Sequence, residues 1–263
     1  MVKKIILSIL IFFVLLFIWQ VVEDQINIQR IEKNQTALEA FIPTPLTIIK
    51  SFGNDWQNIV RELSYTLRKA GFGFVIGVIF AVLIAIIFIF IPFIRNLIFP
   101  LAFAINSFPI VGFAPAIVLI FGQGSFVSIV FISALICYFP TLISMDTAFR
   151  ETDKNLLELM EILNANKWQT LFKVRLPLAM PYLFLSMKLA IPSAIIGATI
   201  GEWLGARNGI GQLITIALYQ LKPGLLYASL VSITIVSTLS ILILIMIEYV
   251  LFPWKRGNTN EKR

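Results

Sequence analysis

Six blocks of apolar sequence constrain this 263-residue chain more than any single motif does. They run roughly over 5–22, 70–92, 98–121, 125–145, 179–200 and 226–250. A helix needs about 20 mostly apolar residues to cross the hydrocarbon core of a bilayer. The blocks therefore predict an all-α, polytopic membrane protein with six transmembrane helices. Composition agrees: 59% of residues are hydrophobic and 13% charged, with a mean hydropathy of +0.91. Soluble domains run nearer half apolar and about a quarter charged.

What is missing narrows the chemistry. The chain has no histidine, which removes His-dependent triads, His-ligated zinc and His-driven pH switching. Its one cysteine, Cys137, rules out a disulfide framework within the chain. Neither H-E-x-x-H nor a paired acidic metal motif is present, so no catalytic or metal-binding residues are expected. The net charge of +7 is not a nucleic-acid signature, because the basic residues lie in loops between apolar blocks. The opening MVKK and the apolar run after it resemble a signal peptide. That run exceeds the usual length of about 7–15 residues, and no A-x-A-like site follows, so a retained first span is expected.

Lysine and arginine counts set the orientation. With the N-terminus inside, twelve of the 21 fall inside: Lys3, Lys4, Arg95, Arg150, Lys154, Lys167, Lys173, Arg175, Lys255, Arg256, Lys262 and Arg263. Eight fall outside (Arg30, Lys33, Lys50, Arg61, Arg68, Lys69, Arg207 and Lys222), six of them in the stretch 23–69, and Lys188 lies within a span. The short loops and tails favour both termini in the cytosol. The expected organisation is a first helix and external loop over 1–61, a transmembrane domain over 62–250 with a cytosolic loop at 146–178, and a cytosolic tail over 251–263. The stretch 23–69 reads as a polar loop of mixed charge.

Within the spans, Gly73-x-x-x-Gly77 has the spacing that lets helices approach closely, although lipid-tolerated glycines read the same way. The third block holds Asn106, Pro109, Gly112 and Pro115. Proline inside a helix removes a backbone bond and kinks it, and in a membrane the freed carbonyls need protein or water partners. Both prolines are expected to bend or break the helix, and these residues to line a pathway. Lys188, about nine residues into span five, either snorkels to the inner interface or attracts an anionic solute. Glu202, at the outer end of that span, reads as a structural or outer-gate carboxylate hydrated at the interface.

The segment 150–177, RETDKNLLELMEILNANKWQTLFKVRLP, predicts two short helices and a tight turn. Asp153 suits an N-cap, and Leu156, Leu157, Met160 and Leu163 form one apolar stripe. Asn164 falls where a left-handed residue would end the helix. Asn166 and Gln169 have capping-box spacing. Trp168, Leu171 and Phe172 lie on the second helix, which Pro177 is expected to stop. Such a pair either lies on the lipid surface, anchored by Trp168, Lys167 and Lys173, or docks a soluble partner.

The same segment resembles the EAA loop of ABC-importer permeases, whose pattern is E-A-A, three residues, G, nine residues, I, one residue, L-P. Glu158 takes the glutamate position, Leu159 and Met160 the alanines, Asn164 the glycine, Val174 the isoleucine, and Leu176-Pro177 the L-P. FIPTPLTIIKSF, SFPIVGFAPAIVLIFGQG, LPLAMPYLFLSMKLAI and GEWLGARNGIGQLI are similar to segments of the nitrate/sulfonate/taurine-type branch, which includes thiamine-precursor transporters. The resemblance implies a multi-pass inner-membrane permease subunit that is not itself an enzyme. Its implied partners are a cytosolic ATPase subunit, an extracytoplasmic solute-binding protein, a second permease copy, as in a homodimer, and membrane lipid. It implies a coupling role for Glu158, Leu163, Asn164, Ala165, Asn166, Lys167, Trp168 and Pro177, with Glu158 orienting the loop. ATP and Mg are implied on the partner, with no cofactor on this chain, which has no G-x-x-x-x-G-K-[ST] phosphate loop. The implied solute is a small anion or a thiamine-precursor pyrimidine. A secondary transporter or channel is the alternative; many secondary transporters have paired broken spans in two matching halves, and no such repeat is visible.

The orientation is open to direct test. A cysteine introduced at position 155 is expected to resist an impermeant external thiol reagent, and one at position 35 to react; the reverse pattern would overturn both the topology and the placement of the loop.

Overall fold

The structure, a computed structural model, describes residue 14 and residues 17–26 and 43–252. Most of the expected first span, Lys3, Lys4, Arg30, Lys33 and the tail cations Lys255, Arg256, Lys262 and Arg263 lie outside those residues. Among the described residues every regular element is helical. Residues 17–26 form α1. It is followed by α2 (Pro45–Phe90), α3 (Pro92–Ser107), α4 (Ile110–Phe121), α5 (Phe126–Arg150), α6 (Lys154–Ile162) and α7 (Lys167–Thr170). A π-helical turn (Leu171–Arg175) leads into α8 (Leu176–Trp203), followed by α9 (Ile210–Tyr219) and α10 (Pro223–Leu251). Among the described residues four helices are long and apolar enough to cross a membrane: Pro45–Phe90, Phe126–Arg150, Lys167–Trp203 and Pro223–Leu251. The pair α3 and α4 passes the same test jointly, bent by 101°.

The chain divides into two compact units, 1–65 with 208–234, and 66–207 with 235–263. In the first unit, the stretch read as polar loop is helical from Pro45 onward, which corrects that expectation. Thr44 starts α2: its hydroxyl accepts from the Thr47 N–H at 3.2 Å, and Pro45, whose missing N–H costs nothing there, takes the first helical position. Ile59 and Leu63 are buried one turn apart, although charged neighbours hide that period in the sequence. Glu62 meets the N-terminus of α9, where its carboxylate accepts from the Gly209 N–H at 2.7 Å. Gly209 has φ +118°, a conformation that suits glycine.

The second unit is organised around α5, which buries residues along its whole length from Ser128 to Phe149. Two glycine pairs bring neighbouring helices onto it. A Cβ on Gly77 of α2 would lie 2.5 Å from Cys137 Sγ and 2.8 Å from the Ala134 carbonyl oxygen. On the adjacent face, a Cβ on Gly197 of α8 would lie 2.7 Å from Ser133 Cα, and one on Gly201 would lie 3.2 Å from Ile129 Cα. The Gly73/Gly77 spacing is thus a packing seam. With lipid as apolar as leucine, such close van der Waals contact is what draws membrane helices together. Ser133 adds a bond between α5 and α8, donating to the Ala194 carbonyl at 2.8 Å. At the other end of α5 a larger apolar core forms around Phe88, Phe139, Leu142, Met145, Phe149 and Leu171.

The third apolar block is bent, but at only one of its three prolines, since Pro100 lies inside α3. Pro109 sits at the N-cap of α4, directly after the break at Phe108, whereas Pro115 lies inside α4 without interrupting it. Pro115 is at the sixth position of a twelve-residue helix, so little helix precedes it to be disrupted. The buried face Ala114, Ile117 and Val118, packed with Ile132 of α5, holds the turn in place.

Gly77→Leu forces a side chain into the α2–α5 seam, against backbone that has no room to move. Overpacking of this kind costs about 1–3 kcal/mol. We expect a lower thermal-unfolding midpoint for detergent-solubilised Gly77→Leu. Gly71→Leu, where nothing lies within 4 Å of the added Cβ, should leave it unchanged.

Candidate functional site

The loop between α5 and α8 is built by local capping. Asp153 accepts from the Asn155 N–H at 2.9 Å and starts α6. At the other end Asn164 is left-handed, with φ +49°. The Asn164 N–H donates to the Glu161 carbonyl and the Ala165 N–H to the Met160 carbonyl, both at 2.9 Å. These two bonds make a Schellman motif, which satisfies carbonyls that a helix end leaves open. Asn166 then opens α7 with both bonds of a capping box, to the Gln169 N–H at 2.8 Å and from its own N–H to Gln169 Oε1 at 2.9 Å.

Pro177 does not stop the second helix. The chain runs from Lys167 to Trp203 as a single apolar helical span of 37 residues. The π turn explains the difference. The Leu176 N–H bonds to the Leu171 carbonyl, five residues back, and Pro177 falls in the first turn of α8. In an α-helix the proline ring would meet the carbonyl four residues earlier; the wider π turn relieves that conflict.

The loop leaves its apolar side uncovered. No residue of α6 or α7 is buried. Ile162 is 78% exposed, Leu163 65% and Trp168 56%, values far from those of a packed core. One face of Trp168 is held by Phe90, at 4.5 Å between ring centroids, and by Phe172, stacked at 6.0 Å. Glu158 and Lys167 are exposed, Ala165 is half-buried, and among the described residues no hydrogen bond or ion pair within the chain holds the Glu158 carboxylate. Arg175, which sequence reasoning treated only as a topology charge, donates to the Phe149 carbonyl at 2.9 Å and ties the end of the loop to the end of α5.

The residues expected along a pathway separate into two kinds. Asn106, Pro109, Gly112 and Pro115 are all exposed on the single chain, on the two arms of the bent pair. Lys188 and Glu202 are instead consumed in ion pairs. Lys188 of α8 pairs with Glu248 of α10. Glu202 is not hydrated at an interface: its side chain is fully buried, accepting from Lys69 Nζ at 2.9 Å and from the Thr66 hydroxyl at 2.8 Å. The reason is cost, since a carboxylate near the apolar core is stable only when paired and hydrogen-bonded. Among the described residues no hydrogen bond or ion pair joins these two charges to Asn106 or its neighbours.

The partners Lys69, Thr66 and Glu248 escaped the sequence reading. For Glu248 the signal was present, because a lone acid in an apolar block calls for a basic partner in an adjacent block. For Thr66 and Lys69 it was hidden, because they sit in the stretch read as loop.

Residues 73–257 match the family described as binding-protein-dependent transport system inner membrane component. Three relatives accompany that match. The formylaminopyrimidine transport permease protein of Halalkalibacterium halodurans is 24% identical over 82% of this chain and 86% of its own length. The riboflavin transport system permease protein of Chloroflexus aurantiacus is 34% identical over 59% of this chain and 58% of its own. A permease protein of Bacillus subtilis named for aliphatic sulfonates transport is 25% identical over 82% of this chain and 79% of its own.

The turn at Asn164 separates two substitutions. Asn164→Gly keeps the left-handed geometry without steric cost. Asn164→Val places a β-branched side chain where even tolerant residues are uncommon, at a cost of roughly 1–2 kcal/mol or more. Amide hydrogen exchange over 160–170 is expected to be unchanged in the glycine variant and about tenfold faster in the valine variant.

Proposed function

The chain belongs to the binding-protein-dependent transport system inner membrane components, and from that membership we propose how its parts divide the work of an ABC importer. It is the membrane permease subunit of such an importer. In this reading the loop 150–177 lies in the cytosol and docks into a groove of a separate ATPase subunit, where ATP and Mg act. A second permease copy completes the pathway, and an external binding protein delivers the solute.

One observation carries the coupling assignment: the exposed apolar loop is continuous with a span. The Schellman turn and capping box fix the corner at Asn164–Asn166, and no break separates Lys167 from Trp203. A displacement of the corner therefore has an unbroken helical path into α8, even with Pro181 and Pro192 inside that helix. ATP binding biases the inward- and outward-facing states only through contacts that differ between them, and a continuous arm supplies such a difference. Leu163 and Trp168 offer the apolar anchors, and a buried aromatic anchor is commonly worth about 2 kcal/mol or more. The lipid-surface alternative gives the same loop no reason for so direct a connection. The exposed arms at Asn106–Pro115 fit a pathway shared with the second copy.

The solute is a small molecule of the aminopyrimidine kind in this reading, with a sulfonate-like anion as the second. The neutralisation of Lys188 by Glu248 favours the first. A lysine already paired in the membrane offers little attraction to an anion.

Two measurements test the proposal. Glu158→Lys and Leu163→Asp are expected to leave the permease inserted, lose the ATPase subunit on purification and reduce uptake at least tenfold; wild-type co-purification and uptake in both would refute the docking role. In cells expressing the complete importer, excess formylaminopyrimidine should suppress uptake of the labelled substrate pool more than an alkanesulfonate does. The opposite order would make the anion the solute.

A further inference from the structure

A second site lies where the loop leaves the membrane spans. The end of α2, the start of α3, the end of α5 and the end of the π turn line a cavity of about 330 Å³. Three arginines line it, Arg95, Arg150 and Arg175, along with Asn96. Asp146 is the one carboxylate in the lining, and Arg95 occupies both its oxygens, donating through Nε at 2.8 Å and Nη2 at 2.7 Å. Arg175 spends one N–H on the neutral Phe149 carbonyl. Among the described residues neither Arg150 nor Arg175 pairs with a carboxylate. The lining therefore carries a net excess of two positive charges.

The helix ends offset one another here: α3 begins at Pro92 with no side-chain cap and no acidic residue, whereas α2 and α5 end in the same wall. The excess positive charge therefore comes from the arginines, whose fixed forks of N–H donors suit a phosphate oxygen array. The rest of the wall is apolar, with Phe88, Ile89 and Phe149. An anionic head beside an apolar wall, at the level where α5 ends and the loop begins, matches the chemistry of a phospholipid at the edge of its leaflet.

We propose that this cavity binds a phosphate-bearing anion, the headgroup of an anionic phospholipid, and so holds together the ends of α3, α5 and α8 from which the loop projects. A bound headgroup would satisfy Arg150 and Arg175 together and brace the base of the loop. Free phosphate offers the same oxygens without the apolar tail.

The full-length chain, purified with its partner subunits, is titrated by native mass spectrometry with phosphatidylglycerol, phosphatidylcholine and inorganic phosphate. Phosphatidylglycerol is expected to be retained well above phosphatidylcholine. Arg150→Gln should weaken that retention about fivefold, the effect of removing one basic residue near an anionic lipid. Arg150→Gln with Arg175→Gln should weaken it further, and Arg150→Lys should keep most of it. Failure of millimolar phosphate to compete assigns the site to the headgroup; competition by phosphate assigns it to the free ion and keeps the anion site. Equal retention of both lipids with no phosphate binding overturns the proposal. So does an Arg150→Gln variant, with unchanged thermal unfolding, that retains phosphatidylglycerol like the parent.

Discussion

Close backbone contact along α5 is the constraint on which the rest of the second unit depends. Helices in a bilayer gain little from burying apolar surface, because the lipid is equally apolar. They gain from packing density, which requires that side chains be small where axes meet. Gly73 and Gly77 on α2, and Gly197 and Gly201 on α8, meet adjacent faces of α5, with Ser133 common to both and Ala134 and Cys137 on the α2 side. With α2 and α8 seated this way, the bonds that cross the seam reach ordinary lengths, as Ser133 to Ala194 at 2.8 Å shows. The positions of α4 and of the loop base follow from the same arrangement.

Charges inside the spans are handled by pairing. Glu202 is matched by Lys69 and Thr66, Lys188 by Glu248, and Asp146 by Arg95. Each pair joins two different helices, so each also selects the register in which those helices sit. Breaking such a buried pair by removing one partner typically costs about 3–5 kcal/mol, mostly because the other charge is stranded. The pairs therefore act as register pins, and they leave the interior of the spans close to electrically neutral.

The loop combines a stiff frame with an unfinished surface. Its turns are closed by backbone and amide hydrogen bonds that involve no other element, and its second arm is the beginning of α8. Its apolar residues nevertheless stay exposed beside the aromatic stack of Phe90, Trp168 and Phe172. Rigidity without burial is what a docking element requires, since little ordering entropy remains to oppose binding.

Local chemistry made much of this protein legible from its residues alone. The apolar blocks from residue 70 onward, the caps at Asp153 and Asn166 and the left-handed turn at Asn164 each depend on neighbours within a few positions, and all appear as helical segments, caps and turn where the spacing placed them. The break at Pro109 was legible for the same reason. Tertiary structure decided what depends on distant partners. Glu202 was read as hydrated because Lys69 and Thr66 stand more than 130 positions away, in a segment whose helical period was masked by charge. Pro177 was read as a stop because a π turn, stabilised by burial of Leu171 in the core, is invisible to a rule about α-helices. Whether Gly73 and Gly77 were a seam or merely tolerated depended on what faced them. A sequence states which conformations each residue permits locally; which charge meets which, and which helix lies close enough to need a glycine, is settled only when the helices pack.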